Sequence, residues 1–104
     1  MTPAQPLSLI EALGKLFKSA VPGLAELAGD DGEAGTMATE LDNGVSQLRL
    51  AYRELQQVQK CDAGDLALED AEYFALLERA LTRLAGGVAT RDRLMALLAG
   101  KAEA

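Results

Sequence analysis

Residues 60–70, KCDAGDLALED, hold the densest grouping of reactive side-chain types in the chain: its one cysteine, Cys61, with Asp62, Asp65, Glu69 and Asp70 around Gly64. Calcium, zinc or thiol chemistry could each use such a set. A calcium loop alternates oxygen ligands over about twelve residues, with glycine at the sixth and a closing glutamate. Leu66, Ala67 and Leu68 occupy the middle of any such loop here. Zinc needs histidine or several cysteines, and the chain has no histidine and one cysteine. A nucleophilic or redox thiol needs an activating neighbour. Cys61 has no imidazole to serve it and is expected at a helix C-terminus, where the partial charge is negative. The remaining reading is a helix–helix corner in which Cys61 is a small apolar packing residue. There Gly64 takes a left-handed backbone, and Asp62 or Asp65 caps the following helix. Glu69, Asp70 and Glu72 then lie near that helix's positive end.

No other segment carries stronger chemistry. Ser8, Ser19 and Ser46 have no imidazole to activate them, and GGVATRD lacks the lysine of a phosphate-binding loop. No catalytic, cofactor-binding or metal-ligating residue is assigned, and the chain is not expected to be an enzyme.

The elements around this corner are helical by composition and by period. Aromatic residues make up 4% of the 104 residues and tryptophan is absent, while leucine and alanine, both strong helix formers, abound. Met37, Leu41, Val45, Leu48, Tyr52, Leu55 and Val58 recur every three or four residues, one continuous helical stripe. A second stripe runs through Phe74, Leu77, Leu81, Leu84 and Val88, and Tyr73, Leu76 and Ala80 widen it beyond what one partner helix would cover. Gly86-Gly87 is expected to stop that helix, and Thr90 to cap a short last one reaching about Gly100. Upstream, Ser8 and Glu11 read as a capping box for an amphipathic helix over 7–28, broken at Pro22-Gly23.

These readings predict an all-α chain forming a single domain, a small bundle of three to four helices built on a long antiparallel hairpin of residues 36–60 and 66–86. Residues 1–6 are expected as an extended leader, 29–35 (GDDGEAG) as a flexible acidic loop with Thr36 capping the next helix, and 101–104 as a frayed tail.

Charge narrows the function. The formal net charge is −6, which opposes direct binding to nucleic acid and to anionic membrane. No stretch reaches the roughly 18 apolar residues of a membrane span, and residues 1–20 lack a secretory-signal pattern. A lone cysteine fits a reducing compartment, so a cytoplasmic location is expected. The scarcity of isoleucine and asparagine, one of each, is a skew that a GC-rich bacterial or phage genome produces. Acids dominate Glu40–Glu72 and bases cluster from Arg79 to Lys101, which predicts a dipolar molecule.

The reading that fits these limits is a small acidic protein-binding module, an adaptor, chaperone or inhibitor, that acts by surface contact. Its partner is expected to be another protein, with self-association to a dimer through surplus apolar surface. The expected contact residues are Tyr73, Leu76, Leu77 and Ala80, rimmed by Glu69, Asp70 and Glu72. Two alternatives stand beside it: an acidic, phage-type decoy for a nucleic-acid-binding protein, supported by net charge, and a membrane-surface protein anchored by the N-terminal helix. In that helix Glu11 and Glu26 cancel Lys15 and Lys18, which weakens the anchor reading.

Overall fold

Two glycines on different helices set how closely the chain packs. A Cβ built on Gly44 would lie 3.0 Å from Cε2 of Phe17, and one built on Gly87 would lie 3.0 Å from Cδ2 of Leu48. Around these notches a computed structural model, which describes residues 4–103, places α1 (Ala4–Leu27), α2 (Gly32–Asp62) and α3 (Asp70–Glu103). Among the described residues there is no strand, and the architecture is the all-α bundle built on an antiparallel hairpin.

α2 is the shared partner. Tyr52 donates to Glu11 at 3.2 Å, so α1 runs antiparallel to α2 with Phe17 over Gly44. Arg83 meets Glu54 at 2.9 Å and Arg93 meets Glu40, so α3 is antiparallel to α2 as well. α1 and α3 are therefore parallel to each other, and they touch least of the three pairs. The long axis measures 52 Å, close to the ~51 Å that the 34 residues of α3 span at about 1.5 Å each. The core is one aliphatic cluster from all three helices, with Phe17, Leu41, Leu55 and Leu94 fully enclosed.

Several boundaries differ from expectation. Residues 4–6 of the expected leader already belong to α1, and residues 1–3 lie outside the described residues. Pro6 falls in the first helical turn, where a missing N–H costs nothing because those amides have no intrahelical acceptor. Ser8 is consequently inside the helix and is not its cap. α1 also continues through Pro22 to Leu27. Pro22 is on the exposed side, while Leu24, at 4% exposure, anchors the last turns in the core.

The acidic loop is shorter than predicted. Asp31, with extended backbone, is the N-cap of α2, and its Oδ1 accepts from the Glu33 amide at 3.0 Å. Gly32–Gly35 are helical, held by fully buried Ala34. Thr36 is one turn inside, its hydroxyl donating to the Gly32 carbonyl. Most consequentially, Gly86-Gly87 does not end the third helix: α3 runs unbroken to Glu103, Thr90 lies buried within it and does not cap a separate helix, and residues 101–103 of the expected frayed tail are helical. Two glycines cost about 2 kcal/mol of helix propensity relative to alanine. Leu84 and Leu94 on either side are buried, however, and Gly87 is where α3 approaches Leu48 and Leu13.

These glycines should separate cleanly under mutation. A methyl at Gly86 would meet nothing within 4 Å, so Gly86→Ala should stabilise the fold by ~0.5–1 kcal/mol through helix propensity. Gly44→Ala drives a methyl into the enclosed Phe17 ring and should cost ~1–3 kcal/mol. Chemical denaturation midpoints test both. Equal responses at the two positions would show that Gly44 is not a packing notch.

Candidate functional site

The corner that holds Cys61 is built by backbone hydrogen bonds. Gly64, at φ +84°, ends α2, with its amide donating to the Cys61 carbonyl at 3.0 Å and the Asp65 amide donating to Lys60 at 2.8 Å. This pairing satisfies the last carbonyls of α2 and needs the glycine. Cys61 is half-buried in the final turn. Asp62 accepts the Tyr73 hydroxyl at 2.8 Å in place of the helix-capping role expected for it, and ties α2 to the first turn of α3. The Tyr73 phenol is consequently held above the ordinary tyrosine range, first by this hydrogen bond; Tyr52 is shifted the same way by Glu11. Among the described residues no group of three or more histidine, cysteine or acidic side chains could hold a metal ion.

The expected contact residues divide. Glu69, Asp70 and Glu72 are exposed at the entry to α3, and the Glu69 carbonyl accepts the Tyr73 amide. Tyr73, Leu76 and Leu77 are half-buried, with Leu77 leaning on the core. Ala80 is fully buried and offers no surface to a partner. The α3 core line passes through Ala80, Leu84, Gly87, Thr90 and Leu94, one step around the helix from the stripe drawn through Phe74 and Leu81. Phe74 is the residue turned out, 64% exposed, its ring edge-on to Tyr73 at 5.5 Å. With Leu77, Leu81 and Ala85 it lines a shallow apolar groove of about 530 Å³ on α3, bordered by Glu78 and Thr82. Sequence reasoning found this stripe but placed it inside. Reading Gly87 as a contact, and not as a stop, would have shifted the core line by the right amount.

The fold pairs part of the predicted dipole, while Asp65, Glu69, Asp70 and Glu72 stay exposed at the corner. Glu54, with 13% of its side chain exposed, holds both Arg83 at 2.9 Å and Arg79 at 3.3 Å, and Glu40 holds Arg93. These pairs wall a polar cleft of about 470 Å³ between α2 and α3, where Arg83 also reaches Gln47. Its arginines already have acidic partners. A third groove, between α1 and α2, carries Lys15, Lys18 and Arg49 beside Glu11 and Tyr52. No helix among the described residues is long and apolar enough to cross a membrane. Comparison with known proteins finds no protein-family model, curated protein or solved structure that matches the chain.

Two measurements check this geometry. Tyrosinate absorbance should rise only above the ordinary tyrosine range near pH ~10, and Asp62→Ala should return one of the two phenols, Tyr73, to that range. Because the folded pKa is raised, any stability from the Tyr73–Asp62 bond is present below the unfolded pKa and lost as pH rises through the folded one. An unchanged titration in Asp62→Ala would refute the bond. Glu54→Gln, which removes the charge shared by two arginines, should lower stability by ~1–3 kcal/mol. At the more exposed Glu40, Glu40→Gln should cost ~1 kcal/mol or less, and urea denaturation of both would reveal a reversed order.

Proposed function

We propose that the protein is a small helical protein-binding module that works in a reducing, cytoplasmic setting by occupying a partner's surface, without catalysis. The single observation that carries this reading is Phe74. A large aromatic side chain at 64% exposure, continuous with Leu77, Leu81 and Ala85 in one groove, has the composition of an interface anchor, and aromatic anchors dominate binding energy. Glu78 borders the groove, and the exposed acids Glu69, Asp70 and Glu72 add charge at the entry to α3. Rim charges chiefly tune association rate and partner choice.

The test is affinity capture with the purified chain as bait, comparing three versions. Phe74→Asp should abolish capture, a loss of roughly 30-fold or more for an anchor of ~2 kcal/mol, while circular dichroism stays helical because the side chain is mostly outside the core. Neutralising Glu69, Asp70 and Glu72 together should weaken capture only slightly. The reverse pattern, with Phe74→Asp tolerated, the triple neutralisation fatal and binding falling steeply with salt, would sink this reading and favour the acidic decoy.

A further inference from the structure

We infer that the polar cleft between α2 and α3 binds a small phosphate-bearing molecule, at a site that the protein-contact reading neither uses nor requires. The cleft, about 470 Å³, falls within the ~300–1,000 Å³ of ordinary small-molecule sites. Its two walls supply different groups. α2 contributes Asn43, Gln47 and the Glu40 carboxylate. On α3, Thr82, Gly86 and Thr90 follow one another at four-residue steps, so they form one row along the cleft, with Arg79 before it and Arg93 after it.

The first observation is a glycine that packing does not explain. Gly44 and Gly87, which also line the cleft, are notches that receive Phe17 and Leu48. Gly86 receives nothing: a Cβ there would meet no atom within 4 Å. A glycine inside a helix costs stability relative to alanine, and no neighbouring side chain requires this one. What the missing side chain does is keep the cleft open between the two threonines.

The second observation is that donors along this row are uncommitted. Thr90 is 6% exposed. Its hydroxyl accepts from Arg93 at 3.1 Å but donates to no acceptor among the described residues. The hydroxyls of Thr36, Thr39 and Ser46, by contrast, donate to the carbonyl four residues back. A buried O–H without an acceptor is unfavourable, and a ligand oxygen in the cleft would supply one. Arg79 faces Glu54 through Nε at 3.3 Å and makes no hydrogen bond among the described residues, so its terminal nitrogens are available. Gln47 gives its carbonyl to Arg83, which leaves its amide nitrogen as a donor. Three arginines meet two glutamates here, so the cleft keeps one positive charge on a chain of net charge −6. A guanidinium with hydroxyl and amide donors is a set for an oxyanion. These donors come from two facing helices and not from one plane. That suits the three oxygens of a phosphate better than the two coplanar oxygens of a carboxylate. Glu40, already held by Arg93, is an acceptor for hydroxyl groups on the body that carries the phosphate.

The test is an NMR titration of the isotope-labelled full chain to ~10 mM of ribose phosphate, of inorganic phosphate and of uncharged ribose. The expected result is saturable binding of ribose phosphate with a Kd of ~1 mM or tighter, shifting the amides of Gly86, Thr90 and Asn43, and none with ribose. Gly86→Leu fills the cleft and should weaken binding at least ~10-fold without lowering the denaturation midpoint. Arg79→Gln, at a side chain 59% exposed, and Thr90→Val, which keeps the shape and removes the hydroxyl, should each weaken it ~5-fold or more with the fold kept. Arg49→Gln removes the same charge from the groove between α1 and α2 and should leave binding unchanged. Saturation by inorganic phosphate as tight as by ribose phosphate supports the site and assigns it to the free anion. No saturable binding of either phosphate, equal binding of ribose, indifference to Gly86→Leu or to Arg79→Gln, or equal weakening by Arg49→Gln overturns the inference.

Discussion

The fold depends on how closely α2 is approached on its two flanks. Gly44 of α2 receives the ring of Phe17, and Leu48, one turn on, reaches into Gly87 of α3. Fully buried Ala51 and Ala80 extend the small-residue contact along the helices. Removing a Cβ lets helix axes draw together until aliphatic side chains interlock at core density. The core has one buried aromatic, Phe17, so it relies on that density. The glycines lose helix propensity to achieve this, and the burial of Leu13, Leu48, Leu84 and Leu94 around them offsets the loss.

Register along those flanks is reinforced by charge. Glu54 is mostly enclosed and engages two arginines one turn apart on α3, Arg79 and Arg83. A largely enclosed carboxylate that is hydrogen-bonded to one arginine and ion-paired with a second is costly to leave without its partners, so sliding α3 by a turn would be opposed here. Tyr73 on Asp62 and Tyr52 on Glu11 add pins at one end of the hairpin and along α1. The same arrangement pairs Arg79, Arg83 and Arg93, three of the basic residues that a linear reading assigns to a separate positive end.

With α2 packed on both flanks and its Glu40 and Glu54 paired to arginines of α3, apolar side chains stay exposed on the outer helices. The two outer helices pack less closely on each other than on α2, and each keeps large apolar side chains exposed, Leu9 and Leu27 on α1 and Phe74, Met95 and Leu98 on α3. This is why the functional reading centres on contact and not on a cavity. The polar cleft between α2 and α3 holds arginines with acidic partners, and among the described residues most of the large exposed hydrophobic side chains lie on α1 and α3.

Much was legible from the residues alone. The all-α class, the antiparallel hairpin, the α2 stripe from Met37 to Val58 and the glycine corner at Gly64 all follow from local rules. Helical period, helix propensity and the left-handed conformation of glycine act over a few residues and need no distant partner. The positions of Glu69, Asp70 and Glu72 near the start of α3 belong to the same class, although the helix begins at Asp70 and not at the expected residue 66. What only tertiary structure decided is where helices continue and which way their stripes face. Pro22 and Gly86-Gly87 are breakers by local preference, yet Leu24 beyond the proline, and Leu84 and Leu94 on either side of the glycines, bury enough apolar surface to carry the helices through. Ala80 and Phe74 lie about a third of a turn apart around α3, and propensity cannot say which is enclosed. The approach of Leu48 to Gly87 turns Ala80 inward and leaves Phe74 outside, because the closest packing of the two helix backbones has room for a methyl and none for a ring.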